Sequence, residues 1–366
     1  MSALELQSTT RTHSVTLVGA SGMMAGEFVR LLQAHPHFGL QRACTRAGGE
    51  ALHALHPQVR AEQTCVSAAQ LGSALLEELK ANERPSWLVL ALPHGESAPL
   101  WGALRSELGG LADALHVVDL SADHRLECAS DYARWYGAEH ADPEELARFT
   151  YALPELAGQA LAGARRLALP GCFATALQLA SVPAARAGLL DAESSWVFHA
   201  STGSSGSGRQ PRAGTHHPHR HANYWGYARE GHRHEAELER ALRSLDLAPA
   251  LTFLPHSGPW ARGIHLLAHL PLAGPCSAAR AQSIYADAYA GRPFVRVLEG
   301  RVPDLHGVVG SNSADLALSV RNGALLVELT LDNLIKGGSG QALQAMNLAA
   351  GLAEDTGLPA SGLGAL

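Results

Sequence analysis

A cysteine that follows Pro-Gly and opens an apolar run is the residue of this chain whose setting most invites chemistry. In Leu169-Pro170-Gly171-Cys172-Phe173-Ala174-Thr175 the apolar run reads as a helix, so Cys172 falls at a helix N-terminus. Aligned N–H groups there stabilise a thiolate, the form of cysteine that attacks carbon. A buried structural cysteine has the same surroundings, because free cysteine is among the residues most often found in cores. His232-Arg233-His234-Glu235, about sixty residues downstream, supplies imidazoles able to serve a thiolate as acid and base. Two residues apart, these rings point to opposite faces of an extended segment and diverge by about 200° on a helix. Separate roles are therefore expected, with His234 favoured as the acid/base because Glu235 and Glu237 stand beside it.

The chain holds 20 histidines, and six of them, at 216, 217, 219, 221, 232 and 234, crowd one segment. Metal binding is the rival chemistry for such a cluster, since histidine is the commonest metal ligand. It would make the chain a metal-dependent hydrolase or a metal-binding protein. No His-Glu-x-x-His or Cys-x-x-Cys spacing supports that reading, and no metal is expected. Residues 201–209, with Ser201, Ser204 and Arg209, are rich in N–H and hydroxyl donors and suit an anion or oxyanion. A flexible surface loop has the same composition. Arg262-Gly263, ahead of an apolar run, is either a partner for a substrate carboxylate or phosphate or a surface arginine.

A second constellation lies near the start. Gly19-Ala20-Ser21-Gly22-Met23-Met24-Ala25-Gly26 follows a β-branched run at 13–18 and opens a pattern with Met24, Phe28, Leu31 and Leu32 on one helical face. Between a strand and a helix, such a turn lets the backbone approach a pyrophosphate and aims helix N–H groups at it. Gly19, Ser21, Gly22, Met23 and Met24 are expected to line that site, although a ligand-free βα turn looks similar. An NAD site wants a carboxylate about 20 residues later for the ribose 2′-hydroxyl. No Asp or Glu occurs between Glu27 and Glu50, and Arg42, Thr45 and Arg46 stand at the end of the second strand instead. Guanidinium and hydroxyl groups suit a 2′-phosphate, so NADP(H) is the expected cofactor. A solvated loop is the alternative.

The elements that must position these residues follow from pattern. Runs at 40–44, 87–92 and 117–120 read as buried strands, with helical stretches such as 68–79 between them. That alternation predicts an α/β unit with a parallel sheet covered on both faces. Beyond Pro170 the character changes to a helix at 172–186 and a strand at 196–200. A Gly/Ser-rich loop at 201–212 and the His-rich segment follow. Strand-like alternation at 251–254, 265–270, 294–298, 316–321 and 325–330 predicts one larger mixed or antiparallel sheet. A helical tail covers 333–352. The expected division is a loose leader at 1–13, a first domain at 14–170 completed by 333–366, and a second domain at 171–332.

With 366 residues, about two domains is the prior. At 46% hydrophobic and 17% charged the chain can bury a large core, and its net charge of −6 without a basic run argues against nucleic acid as partner. No apolar stretch reaches the ~18–20 residues of a membrane span, and the N-terminus shows no signal-like apolar region. Five cysteines at no paired spacing point to reduced thiols and a cytoplasmic location.

Taken in order, these motifs resemble a known family. They are Gly19–Gly22, Leu92-Pro93-His94-Gly95, Asp119-Leu120-Ser121-Ala122-Asp123-His124-Arg125, Tyr151-Ala152-Leu153-Pro154-Glu155 and Pro170-Gly171-Cys172. Residues 201–209, His232-Arg233-His234, Pro255-His256, Arg262-Gly263, Asp332-Asn333-Leu334-Ile335-Lys336-Gly337, Gln341 and Met346-Asn347 continue the series. Over about residues 14–352 the chain resembles the N-acetyl-γ-glutamyl-phosphate reductases of arginine biosynthesis. The resemblance implies a Rossmann-type NADP-binding domain and an α+β catalytic domain like those of semialdehyde dehydrogenases. It implies Cys172 as nucleophile, His232 and His234 as base and substrate contact in either order, and Pro93, Asn333 and Gly337 near the cofactor. Ser201, Ser204, Arg209 and Arg262 are implied near the substrate, and the assembly is expected to be a homo-oligomer, a tetramer or dimer.

Four positions depart from the family pattern. Leu169 replaces the usual Asn, Phe173-Ala174 replace Tyr-Pro, and Ala25 replaces the third glycine. The segment Thr215-His216-His217-Pro218-His219-Arg220-His221-Ala222-Asn223 is closer to a sister branch. That branch reduces aminoadipyl or glutamyl phosphates carried by a small acidic amino-group carrier protein. Arg209, Arg212, His216, His217, His219 and Arg220 suit such a partner or the phosphate of a free substrate.

Overall fold

A computed structural model describes residues 11–81 and 83–364. Residues 1–10 of the expected leader lie outside the described residues, and His13 already opens the first strand. Contacts divide the chain into two units. One comprises the chain up to Pro170 with Ser339–Leu358, the other Gly171–Gly338 with the residues from Pro359 onward. The sequence pattern assigns all of 333–366 to the first. The closing residues group with the second because Asn312 N–H donates to the Pro359 carbonyl (2.8 Å) and Leu363 N–H to that of Val309 (2.8 Å).

The first unit is built on seven strands: β1 (His13–Val18), β2 (Phe38–Thr45), β3 (Val66–Ser67), β4 (Ser86–Leu90), β5 (His116–Asp119), β6 (Thr150–Tyr151) and β7 (Arg166–Ala168). They run in the order β3-β2-β1-β4-β5-β7-β6, and every pairing is parallel. In β4 all five positions are buried, as in a parallel sheet covered on both faces. The chain builds outward from β1 to β3, then returns to β4 on the other side of β1. The order reverses there, which opens a crevice at the carboxyl ends of β1 and β4.

The second unit holds β8 (Trp196–Thr202), β9 (Trp225–Gly226), β10 (Leu251–Ser257), β11 (Ile264–Pro271), β12 (Val295–Leu298), β13 (Ala314–Arg321) and β14 (Ala324–Leu331). The order is β12-β13-β14-β11-β8-β10-β9. β8 with β10 and β12 with β13 pair in parallel and the rest antiparallel, giving the expected mixed sheet. In β11 Ile264, Leu266, Ala268 and Leu270 are buried while Leu267 and His269 are exposed. That alternation marks a sheet covered on one face.

Helix Cys172–Arg186 lies on the covered face, and every residue from Phe173 to Ala185 is buried. Pro183 has no N–H, so the Leu179 carbonyl loses its helical donor. Tyr289 Oη donates to that carbonyl at 2.6 Å, and Tyr285 Oη donates to the next, that of Ala180. Among the described residues no helix is long and apolar enough to cross a membrane.

Candidate active site

Cys172 is the first residue of its helix, with Gly171 in extended conformation as the N-cap, and it is partly buried. Two glycines make room around it. A β-carbon on Gly337 would lie 2.6 Å from Cys172 Cβ, and one on Gly171 would lie 2.2 Å from His234 Nε2. The imidazole of His234 is therefore packed against the residue that precedes the cysteine. Glu237, fully buried, accepts the Gly171 N–H at 3.0 Å. That bond fixes the backbone one peptide before Cys172.

His232 and His234 do not diverge. Their ring centroids lie 4.6 Å apart, because residues 232–235 form a turn that neither a strand nor a helix describes. Glu235 N–H donates to the His232 carbonyl (2.8 Å), while Glu235 Oε1 accepts the His232 N–H (2.6 Å). His234 N–H donates to His232 Nδ1 at 3.2 Å. With Nδ1 accepting, the neutral His232 carries its proton on Nε2. Burial, helped by the positive Arg233, pulls His232 down to a pKa of about 4. Phe173 meets both rings edge-on, at 5.7 Å from His232 and 6.0 Å from His234. Tyr227 lies 6.0 Å from His232, and burial together with the Cys172 thiolate holds its phenol above the usual range.

Several second-unit candidates are tied up within the fold. Asn333 Oδ1 accepts the Gly263 N–H at 2.7 Å and Nδ2 donates to Ser205 Oγ at 2.9 Å. Its amide is thus committed to bracing two loops. Arg262 Nε lies 2.9 Å from Asp332 Oδ2, and Asp332 also accepts the N–H groups of Gly310 and Leu334, each at 2.8 Å. Ser201 is the penultimate residue of β8, and its hydroxyl meets Tyr224 Oη at 2.7 Å. The expectation that residues 201–209 offer a row of N–H donors to an anion is corrected. Gly203, Ser204 and Ser205 donate theirs to the carbonyls of Gly263, Trp260 and Ala261, each at 3.0 Å. Arg209 is exposed. Arg220 is not a surface cation either, for its guanidinium is buried and donates to Ser257 Oγ (2.9 Å) and the Gly258 and Trp260 carbonyls. Among the described residues no group of three or more His, Cys, Asp or Glu is placed to hold a metal ion.

In the first unit Gly19 has φ +82°, and a β-carbon there would lie 2.3 Å from the Ala91 carbonyl oxygen at the end of β4. Helix Met23–Ala34 begins at Gly22 with no side chain capping it and no acidic residue in its first turn. The residues present fit a dinucleotide pyrophosphate, which needs a close backbone and open N–H groups. Close packing on this helix falls at Gly26, where a β-carbon would lie 2.3 Å from the His56 ring. Ser21 and Met23 are exposed at this turn, as is Pro93 after β4.

The far end of β2 departs from expectation. Arg42 sits mid-strand and forms an ion pair with Glu78. Thr45 donates its hydroxyl to Glu50 Oε2 at 2.6 Å. Arg46 is 89% exposed and lies 3.7 Å from Glu96. Sequence missed Glu78 and Glu50 as partners because the turns that return them to β2 carry no periodic signal. It placed Glu237 near His234 but gave no sign of the Gly171 N–H that this carboxylate holds.

The semialdehyde dehydrogenase NAD-binding domain model matches residues 14–164, and the semialdehyde dehydrogenase dimerisation domain model matches residues 172–333. The chain belongs to the semialdehyde dehydrogenase family. It is 38% identical to the N-acetyl-γ-glutamyl-phosphate reductase of Micrococcus luteus, over 96% of this chain and 99% of that one. It is 36% identical to a LysW-L-2-aminoadipate/LysW-L-glutamate phosphate reductase of Saccharolobus solfataricus, over 94% and 96%. Aspartate semialdehyde dehydrogenase II of Vibrio cholerae has the same fold, with TM-score 0.65 at 15% identity over 92% of this chain and 98% of that one.

Proposed function

We propose that the chain reduces an acyl phosphate, N-acetyl-γ-glutamyl phosphate, to the semialdehyde through a thioester on Cys172, with NADPH as reductant. The observation that carries this reading is the placement of Cys172 at the head of a buried helix with the His234 ring against Gly171. Cys172 Sγ attacks the acyl carbon, the carbon–oxygen bond to phosphate breaks, and phosphate leaves a thioester. The Gly19–Met24 turn would hold a nicotinamide cofactor, which would supply a hydride to convert the thioester to the aldehyde. His234 takes the thiol proton and returns it to the departing sulfur. His232, neutral with Nε2–H, orients the acyl substrate as a hydrogen-bond donor. Glu237 holds Gly171, and with it the direction of the helix N–H groups toward the thiolate.

NADPH over NADH is supported by Arg46, whose guanidinium is the solvent-accessible cation beyond β2. A carrier-linked aminoadipyl or glutamyl phosphate is the second reading. It is favoured by relatives of both kinds at similar identity and by the exposure of Arg209, Arg212, His216, His217 and His219 along one segment. A homo-oligomer in the cytoplasm, with a small-molecule or carrier partner and no nucleic acid, completes the proposal.

The test is the reverse reaction, with NADP and phosphate offered alongside N-acetylglutamate semialdehyde and then carrier-linked semialdehydes. Phosphate-dependent NADPH formation is expected. Cys172→Ser should abolish it while leaving NADPH affinity within about twofold, because a hydroxyl is a poor nucleophile at neutral pH. A variant keeping a tenth of the wild-type kcat would rule out the covalent route.

A further inference from the structure

Beyond Thr45 the chain turns back through Gly48 and Gly49, at φ +75° and +90°, a conformation that favours glycine. A β-carbon on Gly48 would stand 2.6 Å from the Ser67 nitrogen, so nothing larger fits. Gly49 N–H then donates to the Cys65 carbonyl and Cys65 N–H to the Glu50 carbonyl, both at 2.8 Å. This short ladder fixes the backbone at Glu50, and its carboxylate reaches back to the end of β2. There it accepts the hydrogen bond of the Thr45 hydroxyl. A hydroxyl has one proton to donate, so Thr45 has none left for a phosphate. The Thr45 bond also holds Glu50 below the usual carboxylate range, keeping it charged. Of the two arginines of this strand end, Arg42 is paired with Glu78, which leaves exposed Arg46.

In a doubly wound sheet the end of the second strand is where a dinucleotide's ribose is read. We propose that Glu50 selects the coenzyme, accepting from a ribose 2′-hydroxyl and opposing a 2′-phosphate, so that the preference for NADPH over NADH is narrow. This rests on the coenzyme reading above. It also accounts for a carboxylate that the spacing of acidic residues in the sequence places too far along to matter.

The experiment is a fluorescence titration of the full chain with NADPH and with NADH, without acyl substrate, for wild type, Glu50→Gln and Glu50→Lys. Melting temperatures confirm that the variants fold. Wild type is expected to bind both coenzymes within about tenfold of each other. Glu50→Gln should tighten NADPH about tenfold, the scale of one unit charge acting on a nearby phosphate, and leave NADH equal or weaker. Glu50→Lys should tighten NADPH further, and the gain should shrink with added salt. Unchanged NADPH affinity in both variants, or equal changes for both coenzymes, would overturn the role of Glu50 alone. Failure of wild type to bind either coenzyme would overturn it together with the coenzyme reading.

Discussion

Two histidines share one turn and yet have different surroundings. His232 accepts a backbone N–H on Nδ1 and is held neutral down to a pKa of about 4, which unsuits it to shuttle protons near neutral pH. His234 presents Nε2 beside Gly171. His234→Asn is expected to lower kcat by about 10²–10⁴-fold, whereas His232→Asn should raise KM for the acyl substrate more than it lowers kcat. His232→Asn should also leave the shape of the pH–rate profile above pH 5 unchanged. Steady-state kinetics of the two variants decide it, and equal effects would refute the division. The sequence carried Cys172 and both histidines because their neighbours are local: Pro-Gly before the cysteine, a glutamate after His234. It gave no sign that Arg42 pairs with Glu78, because that partner is 36 residues away on another element. Burial of Arg220 was illegible for the same reason, since its acceptors lie 37 or more residues on.

Among the elements, helix Cys172–Arg186 has the limits its apolar run predicts. β3 and β6, of two residues each, and β7, of three, are too short to leave a period in the sequence. The start of the cysteine helix depends on an element far along the chain, for the segment around Gly337 packs directly on Cys172. Gly337→Ala would force Cys172 to shift, because the added carbon meets its Cβ at 2.6 Å and Cα at 3.1 Å. The expected outcome is a loss of about 100-fold or more in kcat, since a displacement of about 1 Å at a reacting atom costs that much. Thiol alkylation rates read the same shift without substrate, and wild-type rates in the variant would show that the glycine is not what seats the sulfur.

For the whole molecule, buried neutral histidines set the acid limit of stability. His35 accepts the Phe38 N–H on Nδ1 (3.0 Å) and pairs through Nε2 with Asn347 Oδ1 (3.0 Å), and burial pulls its pKa to about 4. His116 and His232 are likewise pulled to about 4, chiefly by burial. Between the unfolded value near 6.5 and about 4 the unfolded chain binds these protons and the folded one does not. Stability is therefore fully present above pH 6.5 and falls as pH drops through that window. Tm should decline from pH 7 to pH 4.5, and His35→Gln, which cannot titrate, should flatten part of the slope. An unaltered slope in that variant would remove His35 from the account.

The proline inside the cysteine helix has an optical consequence. The carbonyl it strips of its donor is answered by Tyr289, and the next is bonded by Tyr285, so two phenols are fastened inside the second unit. Burial holds Tyr285 far above its ordinary range. Ionised phenol absorbs where neutral phenol does not. In rising alkali the buried Tyr285 should stay dark until the helix lets go. The delayed step in ultraviolet absorbance is then a clock for the loosening of this core, built into the chain without any added label.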